Sequence, residues 1–301
     1  MILAAIDIGS NAARLLITEV TVTEKKTSFE KLNLVRVPLR LGFDVFDKKE
    51  ISPEKADMFL NSIRSFKYLM DAYGVTNCKA AATSAMRDAR NSAALLDTIR
   101  DATGIEIEVI SGDDEASFIY ENHIAENLDK EKAYLYIDVG GGSTELTCFA
   151  DNHLLFKKSF NIGTIRLIKN QVTEAHWDGM KDFLKKEIRA MGKQLMAIGS
   201  GGNINKVFSL SKRKDGKPLS FELLKDYLKE LGSFSVEDRM RLYNMKADRA
   251  DVIVPALQIY VNVMRWIDAG EIYVPKIGLA DGLIQALYRE LTALKPVNPA
   301  A

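Results

Sequence analysis

The 301 residues predict an α/β protein of two domains built to one plan and facing each other across a ligand cleft. The length exceeds the usual reach of a single hydrophobic core, which argues for two domains. A strand, an aspartate, a glycine turn and a second strand occur twice, around Asp7 and again 131 residues later around Asp138. After each copy, strand and helix patterns alternate, as they do in a mixed sheet flanked by helices.

Strand patterns open the chain at residues 2–8, 14–21 and 28–37. Ser52-Pro53 then begins a helix, with serine at the cap and proline at the first helical position. Ala56, Phe59, Leu60, Ile63, Phe66, Met70 and Tyr73 follow at helical spacing until Gly74. Residues 75–84 read as a strand and its exit loop. Asn91 starts a helix that runs through Leu95, Leu96, Ile99 and Ala102 to Gly104; residues 105–110 alternate as a strand; Ser111-Gly112 turns into a helix led by Asp113, Asp114 and Glu115. The second copy repeats the plan. Strands fall at 133–139, 143–149 and 153–160, a helix at 173–191, and a short strand at 195–198 that enters Gly199-Ser200-Gly201-Gly202. Helices follow near 202–210, 220–231 and 235–244, then a long apolar helix over 249–268, bent or split near Pro255. A strand at 271–274 and a helix at 279–294 close the pattern. The polar stretch 122–132 is the expected seam, dividing the chain into 1–125 and 126–301, with the last helix a candidate to pack back on the first domain.

Lys and Arg together number 41, as do Asp and Glu, so formal net charge is zero. That argues against broad electrostatic capture of nucleic acid or an anionic membrane. No apolar run approaches the ~20 residues of a membrane span. Cys78 and Cys148, without C-x-x-C spacing, suit neither a disulfide framework nor a zinc cluster. His123, His153 and His176 show no ligand spacing. The expectation is carboxylate chemistry in the cytoplasm, with no nucleic acid or membrane partner.

The two glycine turns carry that chemistry. In Asp7-x-Gly9-Ser10-Asn11, glycine permits a tight turn, while Ser10 and Asn11 add side-chain donors to the backbone N–H groups. Alone, the pattern reads equally as a hairpin between core strands; its second copy favours an anion nest. Asp138-x-Gly140-Gly141-Gly142-Ser143-Thr144-Glu145 is stronger, because three successive glycines are costly to order unless the backbone wraps an anion. Asp7 and Asp138 at strand ends can hold a divalent cation, and Glu145 lies close enough in sequence to flank the same ion as Asp138. Gly201 belongs to a further strand–turn–helix junction of the kind that accepts phosphate. Glu115, in a first helical turn, suits a general base, although acidic residues there also serve helix stability alone. Arg87 leaves a strand beside hydroxyls, where it reads either as a phosphate ligand or as a surface partner of Asp88. Arg249, before the long helix, reads first as a solvated surface residue and second as a residue facing the cleft.

These pieces resemble the exopolyphosphatase and guanosine pentaphosphate phosphohydrolase family, within the actin-like ATPase superfamily. The resemblance rests on residues 5–11, 38–42, 83–87, 110–116, 138–146, 162–167 and 199–203. It implies two ribonuclease-H-like domains, each a mixed five-stranded sheet flanked by helices, with the active site in the interdomain cleft. It implies hydrolysis of the terminal phosphate of inorganic polyphosphate, or of the 5′ γ-phosphate of guanosine pentaphosphate, with Mg2+ as cofactor and Mn2+ as its alternative. Glu115 matches the family's general base, Asp138 and Glu145 its metal-linked acids, and Arg87, Asn11, Gly140 and Ser143 its phosphate contacts. Ala12 stands where the family often has serine. A phosphotransferase of the same superfamily and a non-catalytic sensor of polyphosphate remain competing expectations, and a homodimer is open.

Overall fold

The computed structural model describes residues 1–23, 26–120, 131–151, 153–189 and 192–293. The first lobe comprises β1 (Ile2–Ile8), β2 (Ala13–Val22), β3 (Thr27–Val37), α1 (Leu41–Lys48), α2 (Pro53–Ala72), β4 (Asn77–Ala82), α3 (Ser84–Asp88), α4 (Ser92–Thr103), β5 (Ile107–Val109) and α5 (Gly112–Tyr120). The second comprises β6 (Lys132–Val139), β7 (Thr144–Ala150), β8 (His153–Phe160), α6 (Thr164–Ile168), α7 (Glu174–Arg189), β9 (Gln194–Ser200), α8 (Gly202–Leu210), β10 (Leu219–Ser220), α9 (Phe221–Gly232), α10 (Val236–Tyr243), α11 (Ala247–Ala250), α12 (Ile253–Trp266), β11 (Glu271–Tyr273) and α13 (Leu279–Ala293). The expected boundary at 125/126 lies outside the described residues.

Each lobe is built on the same sheet. The first runs β3-β2-β1-β4-β5; the second runs β8-β7-β6-β9-β11 with the two-residue β10 added at its edge. In both, the first three strands form an antiparallel meander and the next two join in parallel; β10 pairs antiparallel with β11. Both meanders even slip register at corresponding places, Ile17/Thr18 and Cys148/Phe149. The aspartates at the ends of β1 and β6 therefore occupy one structural position twice.

Buried strands explain the continuous apolar runs. From β1, Ala4, Ile6 and Ile8 face α2, which presents Phe59, Ile63, Phe66 and Met70; Leu3 and Ala5 face the opposite side, where Leu279, Leu283, Ile284 and Leu287 of α13 cover the sheet. The second lobe packs α7, α8, α9 and α12 on one face of its sheet. Ile165 and Val252, from the second half of the chain, are buried within the first lobe's core, so the lobes meet closely.

Three short helices, α1, α3 and α6, have no counterpart in the periodicity reading. The apolar stretch 249–268 divides into α11 and α12 before Pro255, which falls in the first turn of α12, where its missing N–H costs nothing. Ser52 stands at the N-cap of α2, but its hydroxyl donates to Asp44 Oδ2 at 2.6 Å instead of capping the helix.

Candidate active site

The two glycine turns face each other across one cleft. Its lining includes Asp7, Gly9, Ser10, Asn11, Glu115, Asp138, Gly140, Gly141, Ser143 and Gly201. The turns are closed identically: Gly9 N–H donates to Ala12 O at 3.0 Å and Gly140 N–H to Ser143 O at 2.9 Å. A short helix backs each turn. Arg40 and Gly42 N–H at the start of α1 hold the carbonyls of Asn11 and Ser10, and Thr164 and Ile165 N–H of α6 hold those of Gly140 and Gly141.

The acidic groups gather at one end. Glu115 sits in the first turn of α5, and Asp138 and Glu145 face each other across the β6–β7 register. α5 is docked on β8 by Lys157 Nζ, which donates to Ser117 Oγ at 2.9 Å and Asp113 O at 3.2 Å. As a result one carboxylate oxygen from each of Glu115, Asp138 and Glu145 lies within 4.8 Å of the others. Burial, then the neighbouring Glu145, Asp138 and Asp7 charges, push the Glu115 carboxyl well up, against an opposing effect of Arg87. Burial raises Asp138 to about 6, and burial together with Asp138 raises Glu145. The Glu115 and Glu145 Oε2 atoms are buried with no hydrogen-bond partner among the described residues. Three crowded carboxylates with two orphaned oxygens form a donor set suited to a hard divalent cation.

Asp7 does not join this group. The equivalent β1–β2 register places Arg14 opposite it, where β6–β7 places Glu145 opposite Asp138. Arg14 Nη1 binds Asp7 Oδ2 at 2.6 Å. One copy of the motif is thus neutralised and the other is left doubly acidic.

Cations share the cleft with the acids. Arg14, Arg36 and Arg249 line the cleft. Arg249 is not on the solvated surface: it donates to Asn203 Oδ1 at 2.5 Å, and burial with the nearby Arg36 and Arg14 charges pushes its pKa down to about 9. Arg36 pairs with Asp248, yet its Nε is buried without a partner among the described residues. The Arg36 and Arg14 charges crowd Arg249, so an anion bound beside it would be favoured.

The other expected residues divide. Ser10 Oγ and Ser84 Oγ share a 2.8 Å hydrogen bond at the cleft, and Asn11 Nδ2 donates to Asp248 O at 2.9 Å. Gly201 has φ +97°, and a Cβ there would stand 2.8 Å from Asp138 Oδ1, so glycine keeps that carboxylate in place. Gly142 is not in the lining: it faces Ser84 and Phe46 of the first lobe, where a side chain would collide with both. Thr144 is fully buried and donates to Ile162 O at 2.6 Å, which makes it an anchor of the loop. Arg87 lies behind the cleft, donating to Ile110 O at 2.7 Å with its Nη1 3.9 Å from Glu115 Oε2. Its neighbour Asp88 pairs with Arg166 instead. Sequence reasoning missed Arg14, although its register opposite Asp7 follows from the hairpin, and nothing local marks Arg36; Arg249 takes the less favoured of its two sequence readings.

A model of the Ppx/GppA phosphatase family matches residues 20–291. Known relatives include a bifunctional 3-dehydroquinate synthase/phosphatase of Fusobacterium nucleatum, 29% identical over 83% of this chain but only 39% of its own length. Exopolyphosphatase 1 of Mycobacterium tuberculosis is 24% identical over 94% of this chain and 87% of its own. Among solved structures, an exopolyphosphatase from Cytophaga hutchinsonii superposes with a TM-score of 0.82 at 26% identity, covering 98% of this chain and 99% of its own. A Ppx/GppA family member from Aquifex aeolicus, at 24% identity and a TM-score of 0.75 over 97% and 98% of the two chains, shares the fold.

Proposed function

The chain belongs to the Ppx/GppA phosphatase family, and on that premise we propose that it is an exopolyphosphatase, releasing the terminal phosphate of inorganic polyphosphate with a divalent cation, Mg2+ or Mn2+. One observation carries the reading: Glu115 and Asp138, two members of a cluster of three carboxylates, line one cleft together with three arginines and the two glycine turns. That arrangement suits a polyanion that arrives with its cation.

Asp138 and Glu145 would hold the cation. Bound there, it supplies charge neutralisation for the phosphate oxygens. Glu115 takes a proton from water as the water oxygen bonds to the terminal phosphorus; the bridging P–O bond breaks, and its electrons leave with the shortened chain. Arg87, 3.9 Å from Glu115, favours the ionised form that this step requires. Arg14, Arg249 and the free N–H groups of the two turns hold equatorial and distal oxygens, a task of positioning and charge stabilisation.

The test is a phosphate-release panel over tripolyphosphate, long polyphosphate and guanosine pentaphosphate, each with Mg2+, Mn2+ or EDTA. Cation-dependent release from polyphosphate is expected. Release from guanosine pentaphosphate alone would move the substrate to the family's other known type. Acceptor-dependent transfer would point to a phosphotransferase, and tight binding without turnover to a sensor; either would end the hydrolase reading.

A further inference from the structure

The loop that follows Asp138 has almost no side chains with which to hold its shape. Its three glycine carbonyls are instead held in sequence by α6: Thr164 N–H donates to Gly140 O at 3.0 Å, Ile165 N–H to Gly141 O at 2.8 Å, and the Arg166 side chain, through Nε, to Gly142 O at 2.7 Å. With the carbonyls tied back, the N–H groups of Gly141 and Gly142 have no acceptor among the described residues. The first two ties are backbone bonds within the second lobe. The third is different, because the same guanidinium reaches the other lobe: Arg166 Nη2 binds Asp88 Oδ2 at 2.5 Å, and its plane lies over the Phe46 ring, 4.2 Å from the centroid. Its side chain is only 12% exposed. Asp88 directly follows Arg87 on α3, and Phe46 lies on α1.

We infer that Arg166 is a positioning residue that makes the anion-binding shape of loop 140–144 conditional on closure of the two lobes, through its simultaneous bonds to Gly142 and Asp88. The inference rests on the polyphosphate reading above. A guanidinium can serve both partners at once because its donors diverge in a rigid plane; a lysine serves them poorly and loses the stacking on Phe46.

The experiment compares Arg166→Lys, Asp88→Asn and the double variant with wild type in tripolyphosphate hydrolysis, alongside thermal melts and hydrogen exchange of residues 140–144. Lys169→Ala, which removes a surface pair with Asp47 on the same seam, is the control. Arg166→Lys is expected to lower kcat/KM about ten- to hundredfold, chiefly through KM, at a nearly unchanged Tm. The double variant should lose little more than the single one, exchange at 140–144 should quicken, and the control should match wild type. Unchanged KM and exchange would overturn the inference. So would a loss that tracks Tm and appears equally in Lys169→Ala. Wild type that hydrolyses no phosphate chain would end the exopolyphosphatase reading, while the exchange comparison would still decide the role of Arg166.

Discussion

Glu115 is the residue on which chemistry and stability pull in opposite directions. It is buried beside two other carboxylates, so in the metal-free protein its charge is a cost. Glu115→Gln keeps the shape and removes both the charge and the proton acceptor. Phosphate release is expected to fall by about 10²–10⁴, while Mg2+-tripolyphosphate still binds. The metal-free Tm of the same variant at pH 8 should rise. A variant that retains activity would remove Glu115 from the role of base; an unchanged or lower Tm would mean that the carboxylates do not repel. Sequence legibility at this scale follows distance along the chain. Asp138 and Glu145 are separated by one turn, and their pairing can be read from the hairpin. Glu115 reaches them only because α5 docks on the second lobe, so its role came from the family resemblance. Arg249 joins Arg14 and Arg36 from more than 200 residues away, which no local spacing reports.

At the scale of elements, α13 acts as the brace of α5. It covers the first sheet from the far end of the chain, and its Gly282 meets the Phe118 backbone so closely that a methyl group would collide with the Phe118 carbonyl. Backbone cannot move aside as a side-chain tip can. Gly282→Ala is therefore expected to lower unfolding free energy by about 1–3 kcal/mol, the usual range for overpacking, as a shift in urea midpoint. It should also reduce kcat although residue 282 touches no substrate, because α5 carries Glu115. A neutral midpoint would show that α13 slides freely. The long helices were legible because α2 and α13 repeat an apolar face over many turns. The helices α1, α3 and α6 were not, since five to eight residues give too few turns for a period. Yet two of them back the glycine turns and all three contribute to the Arg166 contacts, so the pieces hardest to read are those that shape the site.

For the whole molecule, the zero net charge conceals a division: duplicated lobes contribute one neutralised and one doubly acidic copy of the same strand pair. The acidic copy ties stability to pH and to the cation. Asp138 is raised from an ordinary 3.8 to about 6, so the folded metal-free protein holds that proton more tightly than the unfolded chain. Between those values the unfolded state ionises first. The Asp138 contribution to stability then falls as pH rises through this window, by roughly 3 kcal/mol once ionisation is complete. Glu145 and Glu115 are shifted the same way and extend the fall to higher pH. A cation held by Asp138 and Glu145 would replace the protons as the charge that offsets these carboxylates, and would compete with them at low pH. In EDTA, Tm should therefore decline from pH 5 to pH 8. Mg2+ should add little at pH 5 and recover the loss at pH 8. A Mg2+ shift of equal size at both pH values would detach the cation from these carboxylates, and a metal-free Tm that climbs across the window would mean that they are not raised at all.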